Sequence, residues 1–352
     1  MKNNSPVQLR LLVVIKKYGI MACPKVSVII PVYNTEKYIE RCACSLFGQT
    51  LDDIEYLFVN DCSTDASMEI LNQVLERYPH RKAQVVIHNF PVNSGACAVR
   101  EWGMRHALGE YVIQCDSDDW VERTMYQTLY EVAEREHSDV VICDYAKAYA
   151  RKLSVKKGCR TTDRNALLED LLSKKSSWAV WNKLFRRTLW TSGFIYPKDS
   201  MGEDMAIVTQ LVCKARRVSY HPECLYYYAI HPSSLVRSKT AEKSEAGYRQ
   251  QLNNTEIVLK VLASCGDFPL RRAYVSFLYF LASINYTPLA YHDRGCLQKW
   301  REACPGVGFS FFLSQKIPFR YKFKYMKLSF LHFLTISIRN NHNSNTFKNA
   351  RT

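Results

Sequence analysis

An α/β fold with a mostly parallel central sheet flanked by helices is predicted from two features of this sequence, and a third predicts a helical appendage. Runs rich in β-branched residues alternate with segments of helical periodicity between residues 25 and 144. The runs end in polar loops, as at 60–65 and 116–119. This alternation is typical of βαβ units, whose strands lie parallel. Residues 239–352 show helical periodicity without such runs, which predicts a mainly helical C-terminal appendage.

The predicted elements follow in order along the chain. Strands are predicted at 25–34, 54–59, 84–88, 109–113 and 138–144, and helices at 35–47, 66–78, 93–108 and 122–136. Pro31 interrupts the first strand, as in a buried strand that ends in a loop. Beyond residue 150, helices are predicted at 165–173, 206–212, 242–262 and 270–286. The basic segment 151–164 is predicted to be an irregular excursion.

Composition favours one large domain with an appendage and argues against a disulfide-stabilised protein and a zinc-stabilised one. The chain has 352 residues, of which 47% are hydrophobic, enough to bury a large core. The 13 cysteines are odd in number and scattered, with one close pair at Cys42 and Cys44 and no C-x-x-C pair. A disulfide framework and a structural zinc site are therefore not expected. We interpret the cysteines as reduced core residues of a cytoplasmic protein.

Residues 1–22 are predicted to be an N-terminal extension. The apolar run at 11–15 is too short to span a bilayer, and Lys16 and Lys17 follow it in place of a cleavage site. Met21 directly precedes the first strand and is an alternative start.

Three carboxylates, Asp116, Asp118 and Asp119, directly follow the strand predicted at 109–113. Open α/β sheets bind their ligands at the carboxyl ends of strands. Carboxylates this close repel one another unless a cation takes up the charge, and Mn²⁺ or Mg²⁺ bound together with substrate phosphates fits. An acidic loop that caps the following helix is the alternative. The sequence has no G-x-G-x-x-G after its first strand and no P-loop pattern, so a nucleotide would be held differently.

Four segments resemble, in order and spacing, the family 2 glycosyltransferases. They are VSVIIPVYN at 26–34, VNDCSTD at 59–65, NSG at 93–95 with Arg100, and DSDD at 116–119. The resemblance covers roughly residues 25–235. It implies a GT-A (Rossmann-like) fold and transfer of a sugar from a nucleotide diphosphate sugar with inversion at the anomeric carbon.

The resemblance also implies a division of the chain. A GT-A glycosyltransferase domain is expected at 23–238, with a nucleotide-sugar half at about 23–150 and an acceptor half at about 151–238. The helical C-terminal region then occupies 239–352.

The resemblance assigns roles in donor binding residue by residue. It places Pro31, Tyr33 and Asn34 in the base and ribose pocket, Asp61 on the uracil imide, Asn93, Gly95 and Arg100 near the ribose and sugar, Asp116 and Ser117 on the donor, and Asp118 with Asp116 on the metal. Asn60 stands where an acidic residue is commoner. Taken singly, Tyr33 and Asn34 also fit an ordinary turn, Asp61 an Asx turn and Arg100 a solvated helix charge.

The acceptor side carries the candidate general base. An inverting displacement needs one base opposite the leaving group, and Asp204 is the candidate with Glu203 as the alternative. Both acids also suit the start of the helix that follows them. Trp181, Lys183 and His231 are expected to contact the acceptor or the diphosphate, although a lone histidine such as His231 is more often a packed or surface residue.

These features together predict a metal-dependent inverting glycosyltransferase. Its expected donor is a nucleotide diphosphate sugar, with uridine as the favoured base, and its acceptor a saccharide or lipid-linked saccharide in polysaccharide or lipopolysaccharide biosynthesis. A nucleotidyltransferase of similar α/β fold is one alternative, although no G-rich triphosphate loop lies near the first strand. A catalytically silent nucleotide-sugar-binding module is another, although the acidic residues are intact.

The net charge of +15 indicates an anionic partner. In the tail, the bases Lys316, Arg320, Lys322, Lys324 and Lys327 alternate with the aromatic residues Phe319, Tyr321, Phe323 and Tyr325. This pattern suits the interface of an anionic membrane, and also nucleic acid stacking or a basic surface strand. Because such glycosyltransferases commonly extend lipid-linked saccharides, we expect a peripheral protein on the inner face of the cell membrane and no nucleic acid partner.

Overall fold

The computed structural model describes residues 23–190, 193–231, 240–265, 272–286, 290, 294–304 and 309–333. The predicted extension 1–22, with Met21, lies outside these ranges. The chain divides into two compact units. The first comprises residues 1–168 and 176–232, and the second comprises 169–175 and 233–352.

Nine strands of the described residues form one sheet in the first unit. They are β1 (Val26–Val32), β2 (Ile54–Asn60), β3 (Val85–Asn89), β4 (Tyr111–Gln114), β5 (Trp120–Val121), β6 (Val140–Tyr149), β7 (Lys152–Lys156), β8 (Lys183–Arg186) and β9 (Val218–Ala229). Their order is β3-β2-β1-β4-β8-β6-β9-β5, with β7 paired to β6. β1 pairs in parallel with β2 and β4, β2 with β3, and β6 with β9. The predicted α/β fold with a mostly parallel sheet is confirmed.

Six helices accompany these strands in the part of the chain that the structure describes. They are α1 (Ile39–Phe47), α2 (Ser67–Glu76), α3 (Ala96–His106), α4 (Met125–Glu136), α5 (Arg164–Leu172) and α6 (Glu203–Lys214). α1 buries Ile39, Cys42, Ala43, Leu46 and Phe47, which recur at three- and four-residue spacing on one face. That face packs on β2, which is buried throughout, and on β1, which is buried except at Pro31, and forms the main core with them.

The structure differs from the sequence prediction at two segments of the first unit. Lys152–Lys156 lies in the predicted irregular excursion, yet it pairs antiparallel with β6 as a hairpin. The predicted helix at 122–136 begins only at Met125, because the pairing of β5 with β9 continues into Glu122, whose amide donates to the Leu225 carbonyl at 2.9 Å. Long-range pairing thus overrides local periodicity at both places.

The second unit is helical, as predicted. Its helices are α7 (Ala241–Ser264), α8 (Arg272–Ser283), α9 (Arg294–Ala303), α10 (Phe309–Leu313) and the segment 319–333. Aromatic residues form its core, including Phe277, Phe280, Trp300 and Phe311. Among the helices in the described ranges, none has both the length and the apolar character that crossing a bilayer requires.

Candidate active site

The acidic segment 116–119 lies at the centre of the sheet. It directly follows β4, which sits between β1 and β8. Since β1, β2 and β4 run parallel, their carboxyl ends share one edge. The loops after all three strands therefore converge, as expected for a ligand site in an α/β sheet.

Asp119 anchors this segment to β9. Its carboxylate is fully buried and accepts hydrogen bonds from the Tyr226 hydroxyl at 2.6 Å and the Ala229 amide at 2.7 Å. The Asp116 amide in turn donates to the Tyr226 oxygen at 3.2 Å. Asp119 does not cap α4, whose N-cap position is Thr124. Hydrogen bonds to Tyr226 and Ala229 of β9 thus fix the position of the acidic segment.

Arg100 on α3 joins the acidic segment to α6. Its guanidinium donates to Glu203 Oε1 at 3.0 Å, to Gln114 Oε1 at 2.8 Å and to Asp116 Oδ1 at 3.0 Å. Burial opposes its charge, but the nearby carboxylates Asp116 and Glu203 outweigh burial and raise the pKa of Arg100. The alternative of a solvated helix charge is wrong, since Arg100 is only 9% exposed.

Glu203 and Asp204 stand side by side in the first turn of α6 but differ in their contacts. Glu203 is buried, and besides Arg100 it accepts a hydrogen bond from Cys97 Sγ at 2.8 Å. The Asp204 carboxylate accepts no hydrogen bond from any residue that the structure describes. Burial, with smaller contributions from Glu203 and Asp116, raises the pKa of Asp204 to about 7 against the opposing effect of Arg100. Such a carboxylate can accept a proton near neutral pH.

Asp118 faces the end of β9. Its Oδ2 lies 2.7 Å from His231 Nε2, and the His231 ring stacks on Tyr38 with centroids 4.7 Å apart. Arg41 donates to the Asp118 carbonyl at 3.2 Å and packs over Trp120. The structure therefore brings together the residues predicted for the metal and for the diphosphate.

The corner after β2 is built around Asp61. Its two oxygens accept the amide hydrogens of Ser94 at 2.7 Å and Gly95 at 2.9 Å. Gly95 has a φ of +84°, which a larger residue would adopt only with strain. Asp61 thus holds the turn that starts α3. In the same region, Asn34 Oδ1 accepts a hydrogen bond from the Thr64 amide.

The other predicted donor-site residues differ in exposure. Tyr33, Asn34 and Asn93 are exposed, Pro31 is half-buried at the end of β1, and Ser117 is buried within the acidic segment. Their predicted contacts with the nucleotide sugar stay predictions.

Trp181 and Lys183 lie in the interior. Trp181 stacks on Tyr226 with centroids 4.3 Å apart. Lys183 is fully buried and donates to the Ser177 carbonyl at 3.0 Å and the Ala179 carbonyl at 2.7 Å. Burial lowers the pKa of Lys183 to about 8. In this arrangement Lys183 holds the loop before β8, and contact with an acceptor stays a prediction for both residues.

Sequence reasoning gave no role to Cys97, Gln114 and Tyr226, which complete these networks. Gln114 is the last residue of a buried strand and its polarity was a usable signal. Nothing local distinguishes Tyr226 from the adjacent tyrosines at 227 and 228.

The donor set at Asp116 and Asp118 fits a hard divalent ion. Each carboxylate keeps one oxygen, Asp116 Oδ2 and Asp118 Oδ1, that accepts no hydrogen bond within the described ranges. Across those same ranges no group of three or more His, Cys, Asp or Glu side chains is placed to hold a metal by itself. The set therefore suits an ion that completes its coordination with substrate phosphates.

Comparison with known proteins decides the family. The model of glycosyl transferase family 2 matches residues 27–188. The putative glycosyltransferase EpsH of Bacillus subtilis (strain 168) is 34% identical over 236 residues, which span 64% of this chain and 67% of EpsH. The chain belongs to glycosyl transferase family 2. Its enzyme class is that of the glycosyltransferases, and the family membership disfavours the nucleotidyltransferase alternative.

Two further comparisons agree. The uncharacterized glycosyltransferase EpsJ of the same organism is 34% identical over 223 residues, which span 60% of this chain and 63% of EpsJ. This match thus covers less than two thirds of EpsJ. The crystal structure of S. aureus TarS 1-349 in complex with UDP-GlcNAc superposes with a TM-score of 0.58 at 21% identity, covering 80% of this chain and 82% of that one. This likeness confirms the predicted GT-A fold.

Proposed function

We propose that this protein is a metal-dependent inverting glycosyltransferase that transfers a sugar from a nucleotide diphosphate sugar to a saccharide. One observation carries the proposal. The Asp204 carboxylate, with its pKa raised to about 7, stands beside the network of Arg100 and Asp116 and receives no hydrogen bond from the described residues. It has the properties of a general base next to a site suited to a diphosphate and a divalent ion.

The proposed donor is a UDP-sugar. TarS was crystallised with UDP-GlcNAc, and the loops after β1, β2 and β4 of this chain converge in the same fold. Pro31, Tyr33 and Asn34 stand at the open end of β1, where they can contact a base and ribose. Asp61 and Gly95 shape the adjoining turn, with lone pairs left on Asp61 for a uracil imide.

The proposed metal is Mn²⁺ or Mg²⁺, held by Asp118 and Asp116. When bound, such an ion neutralises the charge that develops on the departing diphosphate. His231, hydrogen-bonded to Asp118, keeps that carboxylate oriented and adds a polar group on the same side. The hydrogen bond from Arg100 holds Asp116 Oδ1 in place.

Asp204 would take the proton of the acceptor hydroxyl. The acceptor oxygen then bonds to the anomeric carbon as the bond from that carbon to the diphosphate oxygen breaks, which inverts the configuration. Glu203 remains the alternative base, but its two oxygens already accept hydrogen bonds from Arg100 and Cys97.

The proposed acceptor is a saccharide, free or lipid-linked, in the synthesis of a surface polysaccharide or lipopolysaccharide. The relative TarS is, by its name, a poly(ribitol-phosphate) beta-N-acetylglucosaminyltransferase, so its acceptor is a polymer. We place this protein in the cytoplasm, peripheral to the inner face of the cell membrane. The net charge of +15 supports an anionic surface as its partner.

A donor panel tests the proposal. Purified protein is incubated with a series of nucleotide sugars, Mn²⁺ or Mg²⁺, and saccharide or lipid-linked acceptors, and nucleoside diphosphate release is measured. We expect UDP release that depends on acceptor and metal and is about 10²–10⁴-fold slower in Asp204→Asn. Pyrophosphate release would indicate a nucleotidyltransferase, and donor binding without turnover would indicate a silent binding module.

A further inference from the structure

The helical segment 319–333 exposes an apolar stripe to solvent. The stripe consists of Phe319, Phe323, Met326, Phe330 and Phe333, which are between 42% and 70% exposed. Their spacing alternates four and three residues, so all five lie on one face of the helix. Exposed large apolar side chains are ordinary when single, but a continuous stripe of five marks an interaction surface.

The opposite face of the same helix is already used in the core of the second unit. Tyr321 packs edge-on against Phe277, with ring centroids 5.0 Å apart. The ring centroids of Tyr325 and Trp300 are 5.7 Å apart. Leu328 is fully buried. The stripe is therefore a second apolar face of this helix.

Two bases that the sequence suggested for membrane attachment are engaged elsewhere. Lys322 donates to the carbonyls of Phe312 and Ser314, both at 2.7 Å, and Lys316 pairs with Glu169 at 2.7 Å. Arg320 and Lys327 also make contacts within the protein, Arg320 over the Tyr321 ring, but both remain exposed next to the stripe. The outward face thus combines five apolar side chains with two bases.

The charge pattern distinguishes between occupants of the stripe. Residues 303–352 contain eight Lys and Arg and no Asp or Glu. A second copy of the chain would bring Arg320 and Lys327 against bases of the same sign, with no acid on either helix to pair with them. An anionic lipid surface complements both the charge and the apolar stripe.

We propose that this stripe docks the protein on an anionic bilayer surface, with the helix parallel to the membrane and its phenylalanines at the headgroup boundary. This inference specifies how the protein would attach to the membrane face given under the proposed function. It rests on that proposed function for its biological role, whereas binding to vesicles can be tested independently. It replaces the broader hypothesis that all bases and aromatic residues of 316–327 face the membrane. Truncation before this segment would remove Leu328 and Tyr325 from the core, so point variants test it better.

Vesicle co-sedimentation of the full chain provides the test, with phosphatidylglycerol–phosphatidylcholine vesicles against phosphatidylcholine alone. The stripe variant carries Phe319→Ser, Phe323→Ser and Phe330→Ser, and the charge variant carries Arg320→Gln and Lys327→Gln. A matched control carries Leu153→Ser and Val155→Ser, which remove two exposed apolar side chains of β7. Circular dichroism checks that all variants fold.

We expect the stripe variant to lose at least about tenfold in affinity for anionic vesicles. The affinity of the charge variant for anionic vesicles should fall about fivefold for each base removed, and its affinity for neutral vesicles should change little. The control should bind like the parent. UDP release with a soluble acceptor should be unchanged in all three, so failure of docking is distinguishable from failure of the transferase proposal.

Equal vesicle binding by the parent and the stripe variant would overturn the inference. A second result would also overturn it. In that case the parent is a dimer by analytical ultracentrifugation and does not bind anionic vesicles, whereas the stripe variant is a monomer. That result would assign the stripe to a second copy of the chain.

Discussion

Arg100 Nε lies 3.0 Å from Glu203 Oε1, and this ion pair is buried. It ties α3 to the first turn of α6. Because Glu203 is engaged with Arg100, its neighbour Asp204 is the carboxylate left without a hydrogen bond among the described residues. The two adjacent acids therefore have different expected roles, Glu203 in positioning Arg100 and Asp204 in proton transfer.

Replacing Asp204 by Asn should lower kcat by about 10²–10⁴-fold, the usual contribution of a general base. Donor affinity should change little, because Asp204 is not among the residues proposed to hold the nucleotide or the metal. Steady-state kinetics and calorimetric titration with UDP measure the two effects. If Asp204→Asn turned over normally and Glu203→Gln did not, the base would be Glu203.

Replacing Glu203 by Gln should act mainly on stability. The buried Arg100 would lose one charged partner while keeping Asp116 and Gln114. We expect a loss of about 1–3 kcal/mol in the free energy of unfolding, measured by urea denaturation. An unchanged unfolding midpoint would show that the buried pair contributes nothing net.

The pH dependence of kcat/KM should report Asp204. Because its pKa is raised to about 7, the base is protonated and inactive below that value. The rate should rise tenfold per pH unit below 7 and level off above it. A profile that is flat between pH 5 and 8 would contradict the assignment.

The raised pKa of Asp204 also makes the stability of the fold depend on pH. A carboxyl whose pKa is higher in the folded state binds its proton more tightly there, so the free energy of unfolding falls as the pH rises from about 4 to about 7, and the loss is complete above pH 7. Asp204→Asn should therefore raise Tm at pH 8. The corresponding gain in the free energy of unfolding is on the order of 1 kcal/mol after allowance for partial exposure. At pH 4 the two proteins should melt alike.

Replacing Asp118 by Ala should remove metal-dependent turnover and weaken donor binding, because the proposed ion would lose a ligand. Titration of UDP with and without Mn²⁺ measures this. The parent should bind UDP more tightly with Mn²⁺, and the variant should show no such difference. Retained Mn²⁺ dependence would place the ion elsewhere.

Replacing Tyr226 by Phe tests the anchor behind the acidic segment. The buried Asp119 carboxylate would lose the 2.6 Å hydrogen bond and keep only the Ala229 amide. We expect the free energy of unfolding to fall by about 1–3 kcal/mol and UDP affinity to fall with it. Tyr227→Phe is a matched control, since that hydroxyl contacts Glu122 instead.

The strands at the start of the chain and the acidic residues that follow them were predictable from sequence. Apolar β-branched runs specify buried parallel strands, and parallel strands place their carboxyl ends at one edge. The convergence of Asp61 with the acidic segment after β4 follows from that rule alone. Local patterns also identified Glu203 and Asp204 at a helix start.

Only the tertiary structure decided which partners these side chains find. Arg100 meets a glutamate 103 residues away, and Tyr226 reaches an aspartate 107 residues away. No periodicity encodes such distant pairs. In the segment 319–333 apolar residues occur all round the helix, so the sequence offers two apolar faces. Packing buries the face of Tyr321, Tyr325 and Leu328 against an aromatic core, and that choice leaves the phenylalanine stripe exposed to solvent.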